Sequence, residues 1–263
     1  MNTMTEQSKR EFPGRSQIPR RLAGLAFCLS ILGMAWVSGA EAQERLQWSI
    51  TPYLWATDTK VDLRLDGEPI GGDEIAFDDL LDVLDTAFMV HVEAGKGHWS
   101  AFGDLTYLET SETNVREVLT IDSDSEQAFF DAAAGWWPQG VGRGLNLYGG
   151  IRYARFDDRY RFRLDEELLA EHRNDVDYTD ALIGVRYLFD LSERWSLQTR
   201  ADTSFGDSEG TWLLRAQLAW TVGKRRQNQF ILGYELKEAE YDDNGVRARY
   251  RYSGPTAGFN FRF

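Results

Sequence analysis

Apolar and polar residues alternate one by one along most of the chain after residue 42. In residues 195–205 the odd positions carry Trp, Leu, Thr, Ala, Thr and Phe, whereas the even positions are polar or charged. Residues 212–222 repeat the pattern, with the apolar side chains at even positions. A period of two is typical of β-strands that present one face to an apolar environment. The pattern therefore predicts an all-β protein.

The length of the alternating segments decides between two kinds of β-protein. Soluble strands usually have about 5–6 residues, whereas a strand that crosses a bilayer at a tilt needs about 9–11. Each segment has about ten residues or more, which favours a transmembrane up-and-down antiparallel β-barrel. We predict about ten strands, within a range of about 8–12, because residues 58–76 and 109–126 contain further strand-like runs. The ten segments are 47–57, 86–96, 98–108, 127–137, 144–156, 178–190, 195–205, 212–222, 228–237 and 246–263.

The connections between these segments are alternately short and long. Outer-membrane barrels have short periplasmic turns and longer outer loops. In the first long connection, Asp66-Gly67 predicts a hairpin turn. Leucines at helical spacing in 78–85 predict a short amphipathic helix, packed over or into the barrel mouth. The short connections are 95–97, 138–143, 191–194 and 223–226, and the long ones are 58–85, 109–126, 157–177, 207–210 and 238–245.

The N-terminal region has the pattern of a secretory signal peptide. Arg20 and Arg21 precede the apolar run 22–39, which Ala40-Glu41-Ala42 follows. A charged region, an apolar region and a small-residue site in this order predict cleavage. We expect the cut between Ala42 and Gln43, so that 1–42 is removed and 43–263 forms one barrel domain. The alternative is an uncleaved membrane anchor.

The two ends of the predicted barrel resemble known sequences. Phe259, Phe261 and Phe263 share one face of the last segment. They resemble the C-terminal signal of Gram-negative outer-membrane barrels, which the barrel-assembly machinery reads. Thr51-Pro52-Tyr53-Leu54-Trp55-Ala56 and residues 77–89 resemble an uncharacterised group of proteobacterial outer-membrane proteins. The resemblance implies the outer membrane of a Gram-negative bacterium, with lipid, lipopolysaccharide and the assembly machinery as partners, but no activity. We expect a monomer.

Composition excludes several function classes. The chain has 42 acidic and 29 basic residues, a net charge of −13, whereas nucleic-acid binders present a basic face. The single cysteine, Cys28, lies in the apolar run, so the rest of the chain has neither thiolate metal sites nor disulfides. Many acids fall in the predicted outer loops. Their carboxylates suit divalent cations, although no EF-hand spacing is present and a solvated acidic surface is the simpler interpretation.

Charged residues also lie on strand faces opposite the apolar ones. A charge that faces lipid costs about 2–4 kcal/mol at mid-depth, so we predict that these side chains face the lumen. They either fill a narrow barrel with ion pairs or line a small, mildly anion-selective pore, in which Arg247, Arg249 and Arg251 would lie in series. The lumen-facing set is Glu93, Asp104, Asp131, Arg152, Asp180, Arg186, Arg200, Asp202, Arg215, Glu235, Lys237, Arg247, Arg249, Arg251 and Arg262.

The last segment changes the parity of its apolar face. Val246, Ala248, Tyr250 and Tyr252 are even-numbered, whereas the apolar positions from Pro255 onward are odd-numbered. One extra residue would restore the alternation, so we predict a β-bulge at Gly254-Pro255, where the missing N–H of proline is tolerated.

The histidines give no sign of a catalytic site. His91 is predicted to face the lumen near Glu93 and Asp104, His98 adjoins a short turn, and His172 lies in the third outer loop. No serine or threonine is placed beside them by spacing, and the glycines form no phosphate loop. We therefore expect no enzyme and no cofactor. The leading hypothesis is a structural or surface-interaction barrel; a narrow anion-selective pore and an omptin-like surface hydrolase are the alternatives.

Overall fold

The computed structural model describes residues 45–65, 67–116, 119–164, 167–223, 227–243 and 245–263. The predicted signal peptide and its cleavage site at Ala42 and Gln43 lie outside the described residues. In the described part of the chain, no helix has both the length and the apolar character needed to span a membrane.

Ten antiparallel strands form a closed β-barrel. In this sheet β1 lies next to β4, and the strands from β4 to β12 follow in sequence order. β1 also pairs with β12, which closes the cylinder. The predicted all-β barrel and its strand number are confirmed. The strands are β1 Gln47–Trp55, β2 Asp58–Leu65, β3 Glu68–Ile75, β4 Leu84–Lys96, β5 Trp99–Arg116, β6 Leu119–Trp136, β7 Gly144–Leu164, β8 Glu167–Asp190, β9 Trp195–Gly206, β10 Gly210–Val222, β11 Asn228–Asp243 and β12 Val246–Arg262.

Strands β2 and β3 form a hairpin outside the closed ring, and β2 pairs with the first half of β12. Gly67 in the turn has φ +86°, a left-handed conformation that favours glycine, which agrees with the predicted hairpin. The predicted helix is present as α1, Phe77–Val83, and the Phe77 N–H donates to Asp58 at 2.9 Å. The helix contacts β5 and none of its side chains is fully buried. The predicted packing of its apolar face into the barrel mouth is therefore wrong, whereas packing over the mouth stays a prediction; Phe77, Leu80 and Val83 are half-buried.

The predicted long outer loops are mostly strand. β7 has 21 residues and β8 has 24, about twice the length needed to cross a bilayer. Their pairing continues to Leu164 opposite Glu167, and β5 and β6 pair to Arg116 opposite Leu119. The loop predictions for 109–126 and 157–177, and for most of 238–245, are therefore wrong. We call the part of the sheet beyond Tyr107, Tyr153 and Trp212 the extension, and the opposite end of the barrel the turn end.

A band of apolar side chains covers the outside of the barrel between these two ends. On β10, Trp212, Leu214, Leu218 and Trp220 are exposed, whereas Leu213 between them is buried. A row of tryptophans borders the band at the turn end, and aromatic residues border it towards the extension, which is the arrangement of a lipid-facing barrel. Trp48, Trp99, Trp136, Trp195 and Trp220 form the first border, and Tyr107, Tyr153, Phe205 and Trp212 the second.

The last strand crosses from the band into the extension without a break in register. Tyr234 pairs with Pro255 and Glu235 with Gly254, continuous with the pairs on either side. Even positions face the interior throughout, including Tyr252 and Thr256. The predicted bulge is therefore wrong. The apolar residues of β12 change from even to odd positions because the surroundings of the strand change. Lipid faces the outside of the part in the apolar band, and water faces the outside of the part in the extension.

The barrel closes tightly where β1 and β2 meet β12. The Ala56 N–H donates to the Pro255 carbonyl at 3.0 Å. A Cβ atom added to Gly254 would lie 1.8 Å from the Ala56 carbonyl oxygen, so this position excludes any side chain.

Candidate functional site

The barrel interior has three layers. An ion network occupies the level of the apolar band, an aromatic cluster lies beyond it towards the extension, and a cavity opens at the turn end. The outside of the extension is a separate, charged surface.

Arg152 and Arg200 lie at the centre of the ion network. Arg152, which has no exposed side-chain surface, donates to both oxygens of Asp131 at 2.7 and 2.8 Å and to Asp202 at 2.8 Å. Arg200 donates to Asp202 at 2.6 Å, to Asp131 at 2.7 Å and to Asp104 at 3.2 Å. Arg200 of β9 thus reaches carboxylates on β6 and β5, which are not its neighbours in the sheet, so these contacts tie the wall together through the interior.

The network continues along β10 and β11. Arg215 forms an ion pair with Glu235 and lies 3.6 Å from Asp104. The Tyr53 hydroxyl also donates to Asp104, at 2.7 Å. The Lys237 ammonium lies 3.4 Å from the ring centroid of Phe129, a cation–π contact that places it against the aromatic cluster.

At the end nearest the cavity, Arg186 donates to both oxygens of Glu93 at 2.7 and 3.1 Å. Its guanidinium lies 4.6 Å from the centroid of Phe102. His91 contacts Asp104 through Nδ1 at 3.1 Å and lies 3.7 Å from Glu93. The predicted position of His91 near these two acids is present in the structure.

Opposite charges lie side by side in this network. Five carboxylates lie among four arginines and Lys237, and a buried charge is tolerated where a partner compensates it. We call these ten residues the ion network. They are Arg152, Arg186, Arg200, Arg215, Lys237, Glu93, Asp104, Asp131, Asp202 and Glu235.

Two further predicted lumen residues lie inside the barrel but outside the network. Asp180 is buried and accepts hydrogen bonds from the hydroxyls of Ser204 at 2.8 Å and Ser208 at 2.5 Å. Arg262 lies on the inward face of β12 and lines the cavity. Sequence reasoning missed Tyr53 and Tyr148, whose hydroxyls join the network; their only signal is their position on inward faces.

Arg247, Arg249 and Arg251 do not line the lumen, and their prediction as a series of pore cations is wrong. They lie on the outside of β12, opposite Asp242, Glu240 and Glu238 of β11. Arg249 pairs with Glu240 at 2.8 Å, and Arg251 with Asp62 at 2.6 Å. They face outward because this part of the strand lies in the extension, where the outer side is hydrated.

The aromatic cluster fills the interior at the base of the extension. Phe129 contacts Phe156 edge to face, with ring centroids 5.5 Å apart, and Phe156 stacks on Tyr250 at 5.3 Å. Edge-to-face and offset contacts are favourable geometries for aromatic rings. Tyr250 therefore lies inside the barrel, packed against this cluster. The buried members are Tyr53, Trp55, Met89, Leu108, Phe129, Ala154, Phe156, Tyr178, Tyr241, Ala248 and Tyr252.

The cavity at the turn end has a volume of about 360 Å³. Trp137 and Val141 form one wall, and the inward faces of β1 and β12 form another. The Trp137 indole is buried and donates to Ser100 at 2.9 Å, which fixes its orientation. The ion network closes the far end, where Arg186, Arg200 and Arg215 reach the cavity surface.

Cross-strand ion pairs cover the outside of the extension. Arg163 pairs with Asp122 at 3.0 Å and Arg161 with Asp124 at 2.6 Å. Asp157 accepts from Arg173 at 2.5 and 3.0 Å, and this hydrogen bonding lowers the pKa of the Asp157 carboxyl below its ordinary value.

The other two histidines do not contribute to a site that the structure assembles. His98 Nδ1 contacts the Trp137 carbonyl at 2.7 Å, and His172 lies exposed on the extension. Among the described residues, no cluster of three or more His, Cys, Asp or Glu side chains is arranged to hold a metal ion. Divalent-cation binding by the acidic surface stays a prediction.

The fold is similar to that of solved outer-membrane barrels. The outer membrane protease OmpT from Escherichia coli matches with a TM-score of 0.52 at 10% identity, over 83% of this chain and 97% of OmpT. Ail, the attachment invasion locus protein of Yersinia pestis, matches with a TM-score of 0.38 at 11% identity, over 84% of this chain and 99% of Ail. No protein-family model and no curated protein matches the chain. The likeness to OmpT establishes the fold class: a closed β-barrel of the outer-membrane type.

Proposed function

We propose that this protein is a non-enzymatic, non-conducting barrel of the Gram-negative outer membrane that presents its extension at the cell surface for interactions. The closed interior carries this proposal. The apolar band and its two aromatic borders support insertion in a membrane, and the predicted signal peptide supports export. The Phe259, Phe261 and Phe263 assembly signal stays a prediction; Phe259 and Phe261 lie on the outward face of β12.

Closure of the interior favours this role over a pore. The ion network and the aromatic cluster occupy two successive levels of the lumen, and both consist of buried side chains that contact one another. The arginines of the network are paired with carboxylates, and the three arginines that would have made an anion path lie outside. A small ion would have to separate buried ion pairs to pass, which costs several kcal/mol.

The shape of the extension favours a surface role. Its hairpins continue well beyond the apolar band as paired strands, so they form a firm wall instead of mobile loops. Apolar side chains are exposed near the ends of these hairpins, including Val115, Leu168 and Leu169. We place the contact surface at these hairpin ends because these apolar side chains are exposed there.

Single-channel recording tests the closure. The chain from Gln43 onward is refolded into planar bilayers after circular dichroism and a heat-dependent shift in gel mobility have confirmed a folded barrel. We expect no conductance steps. Discrete steps with an anion preference would contradict the closed interior.

Adhesion tests the surface role. Cells that express the protein are expected to bind a protein-coated surface more than cells without it, and Leu168→Ser with Leu169→Ser is expected to remove the excess. Arg251→Gln, on the outside but away from the hairpin ends, is the control. Equal binding by cells with and without the protein would contradict the interaction role.

A further inference from the structure

We infer that the cavity at the turn end binds a small 2-hydroxycarboxylate with a short apolar chain. Its volume of about 360 Å³ lies in the range of sites for small organic molecules. The proposal does not depend on the surface role, because cavity and extension lie at opposite ends of the barrel.

Arg262 supplies the recognition of the carboxylate. The other arginines that line the cavity are engaged: Arg186 binds Glu93, and Arg200 and Arg215 bind carboxylates of the ion network. Among the described residues Arg262 has no ion pair within 4.0 Å and no side-chain hydrogen bond; the acid that acts on it across the cavity, Glu93, is already bound by Arg186. A guanidinium offers five N–H donors and binds carboxylates through two parallel hydrogen bonds.

Asn260 supplies a second, independent sign of a ligand. Its side chain is only 8% exposed and lines the same cavity, yet its Oδ1 has no hydrogen-bond partner among the described residues. A buried acceptor without a partner is rare in proteins, and a donor from a bound molecule would satisfy it.

The spacing of these two residues suits a ligand with a hydroxyl next to its carboxylate. Asn260 and Arg262 are two positions apart on one strand face, so their Cα atoms lie about 7 Å apart. A hydroxyl on the carbon next to a carboxylate can therefore donate to Asn260 while the carboxylate accepts from Arg262. Trp137, Val141 and Ile231 give the remaining wall an apolar surface that suits a short hydrocarbon chain.

The cavity is a dead end, because the ion network lies behind it. A ligand must enter and leave at the turn end, which faces the periplasm in a barrel of this type. The cavity would thus sense or store a periplasmic molecule instead of passing it through the membrane.

Calorimetric titration of the full barrel in lipid nanodiscs tests this inference, with empty nanodiscs as the blank. The probes are 2-hydroxyhexanoate, hexanoate and 2-hydroxyhexanamide. We expect saturable binding of 2-hydroxyhexanoate, weaker binding of hexanoate, and no binding of the uncharged amide. Absence of saturable binding, or equal binding of the amide, would overturn the proposal.

Substitutions separate the two contacts. Arg262→Gln is expected to weaken 2-hydroxyhexanoate by about tenfold or more, because it removes a charge-assisted hydrogen bond. Asn260→Leu is expected to reduce 2-hydroxyhexanoate binding to the level of hexanoate. Arg251→Gln, on the outside of the same strand, is expected to leave binding unchanged. Full affinity in the Arg262→Gln barrel would assign binding to another part of the protein, and the heat-dependent gel shift verifies that each variant folds.

Discussion

Replacement of Arg152 by methionine is the sharpest test of the ion network. The Arg152 side chain is fully buried and makes three hydrogen bonds, two to Asp131 and one to Asp202. Methionine fills much of the same volume but leaves the two carboxylates with Arg200 as their remaining close cation. Breaking a buried ion pair on one side costs about 3–5 kcal/mol, which corresponds to about 100-fold or more in the unfolding equilibrium.

The matched control is Arg251→Met on the outside of the extension. Arg251 also contacts two carboxylates, Asp62 at 2.6 Å and Glu238 at 3.2 Å. Its side chain is 47% exposed, and an exposed pair contributes about 0–1 kcal/mol. The two substitutions thus remove the same charge from sites that differ chiefly in burial.

Urea unfolding of the refolded barrels in lipid vesicles measures both effects. Tryptophan fluorescence and the gel mobility shift report the transition independently. The double variant Arg152→Met with Asp131→Asn is expected to recover part of the loss, because it also removes an uncompensated carboxylate. Equal stability of the Arg152→Met and Arg251→Met barrels would refute the conclusion that the network holds the barrel wall together.

Three further predictions concern the outer band, the seam and the extension. Leu218→Arg, which faces outward inside the band, is expected to destabilise the barrel by up to about 2–4 kcal/mol, more than Gln217→Arg on the inward side of the same strand; equal urea midpoints would mean that the faces are misassigned. Gly254→Ala is expected to lower the yield of folded barrel, since its Cβ would overlap the facing backbone, whereas Gly71→Ala has open space around it; equal yields on gels would contradict the tight seam. The pKa of Asp157 is lowered in the folded protein, so its contribution to stability is present above the ordinary carboxyl pKa and is lost as the pH falls through the lowered value. Asp157→Asn is accordingly expected to speed hydrogen exchange in β7 and β8 at neutral pH, and this effect is expected to shrink as the pH falls through the lowered pKa; a difference independent of pH would contradict this.

The barrel and its strand number follow from the sequence because the membrane imposes a simple rule. Every strand must present apolar residues to lipid on one side, which produces alternation over about ten residues. Residues 195–205 and 212–222 obey it, and they are β9 and β10 almost to the residue.

The sequence does not predict the extension as strand, because there the apolar residues lie on the inward face and the charged residues on the outward face. Arg159, Arg161 and Arg163 point outward into water, whereas Tyr160 and Phe162 between them point inward. The high density of charge in these segments predicts a loop, although the period of two continues. In β12 the same exchange of faces predicts a bulge.

The sequence does not predict which interior charges pair with one another. Glu93 and Arg186 are 93 positions apart and meet only because the barrel closes. Their strands are not neighbours in the sheet, so neither the hairpin order nor the register between adjacent strands brings them together. Their inward orientation could be predicted from periodicity, but their partners depend on the three-dimensional shape of the cylinder.

The reversal of polarity also explains why an aromatic cluster lies inside the barrel. Lipid stabilises the apolar outside of the band, but the extension has water on its outside and must bury apolar surface within. The aromatic cluster around Phe129, Phe156 and Tyr252 provides that surface at the base of the extension, where the four long strands β5 to β8 leave the band. An open channel at this level would require removal of the core that holds these strands together. The long paired strands of the extension and the packed interior at its base are therefore two consequences of one packing arrangement.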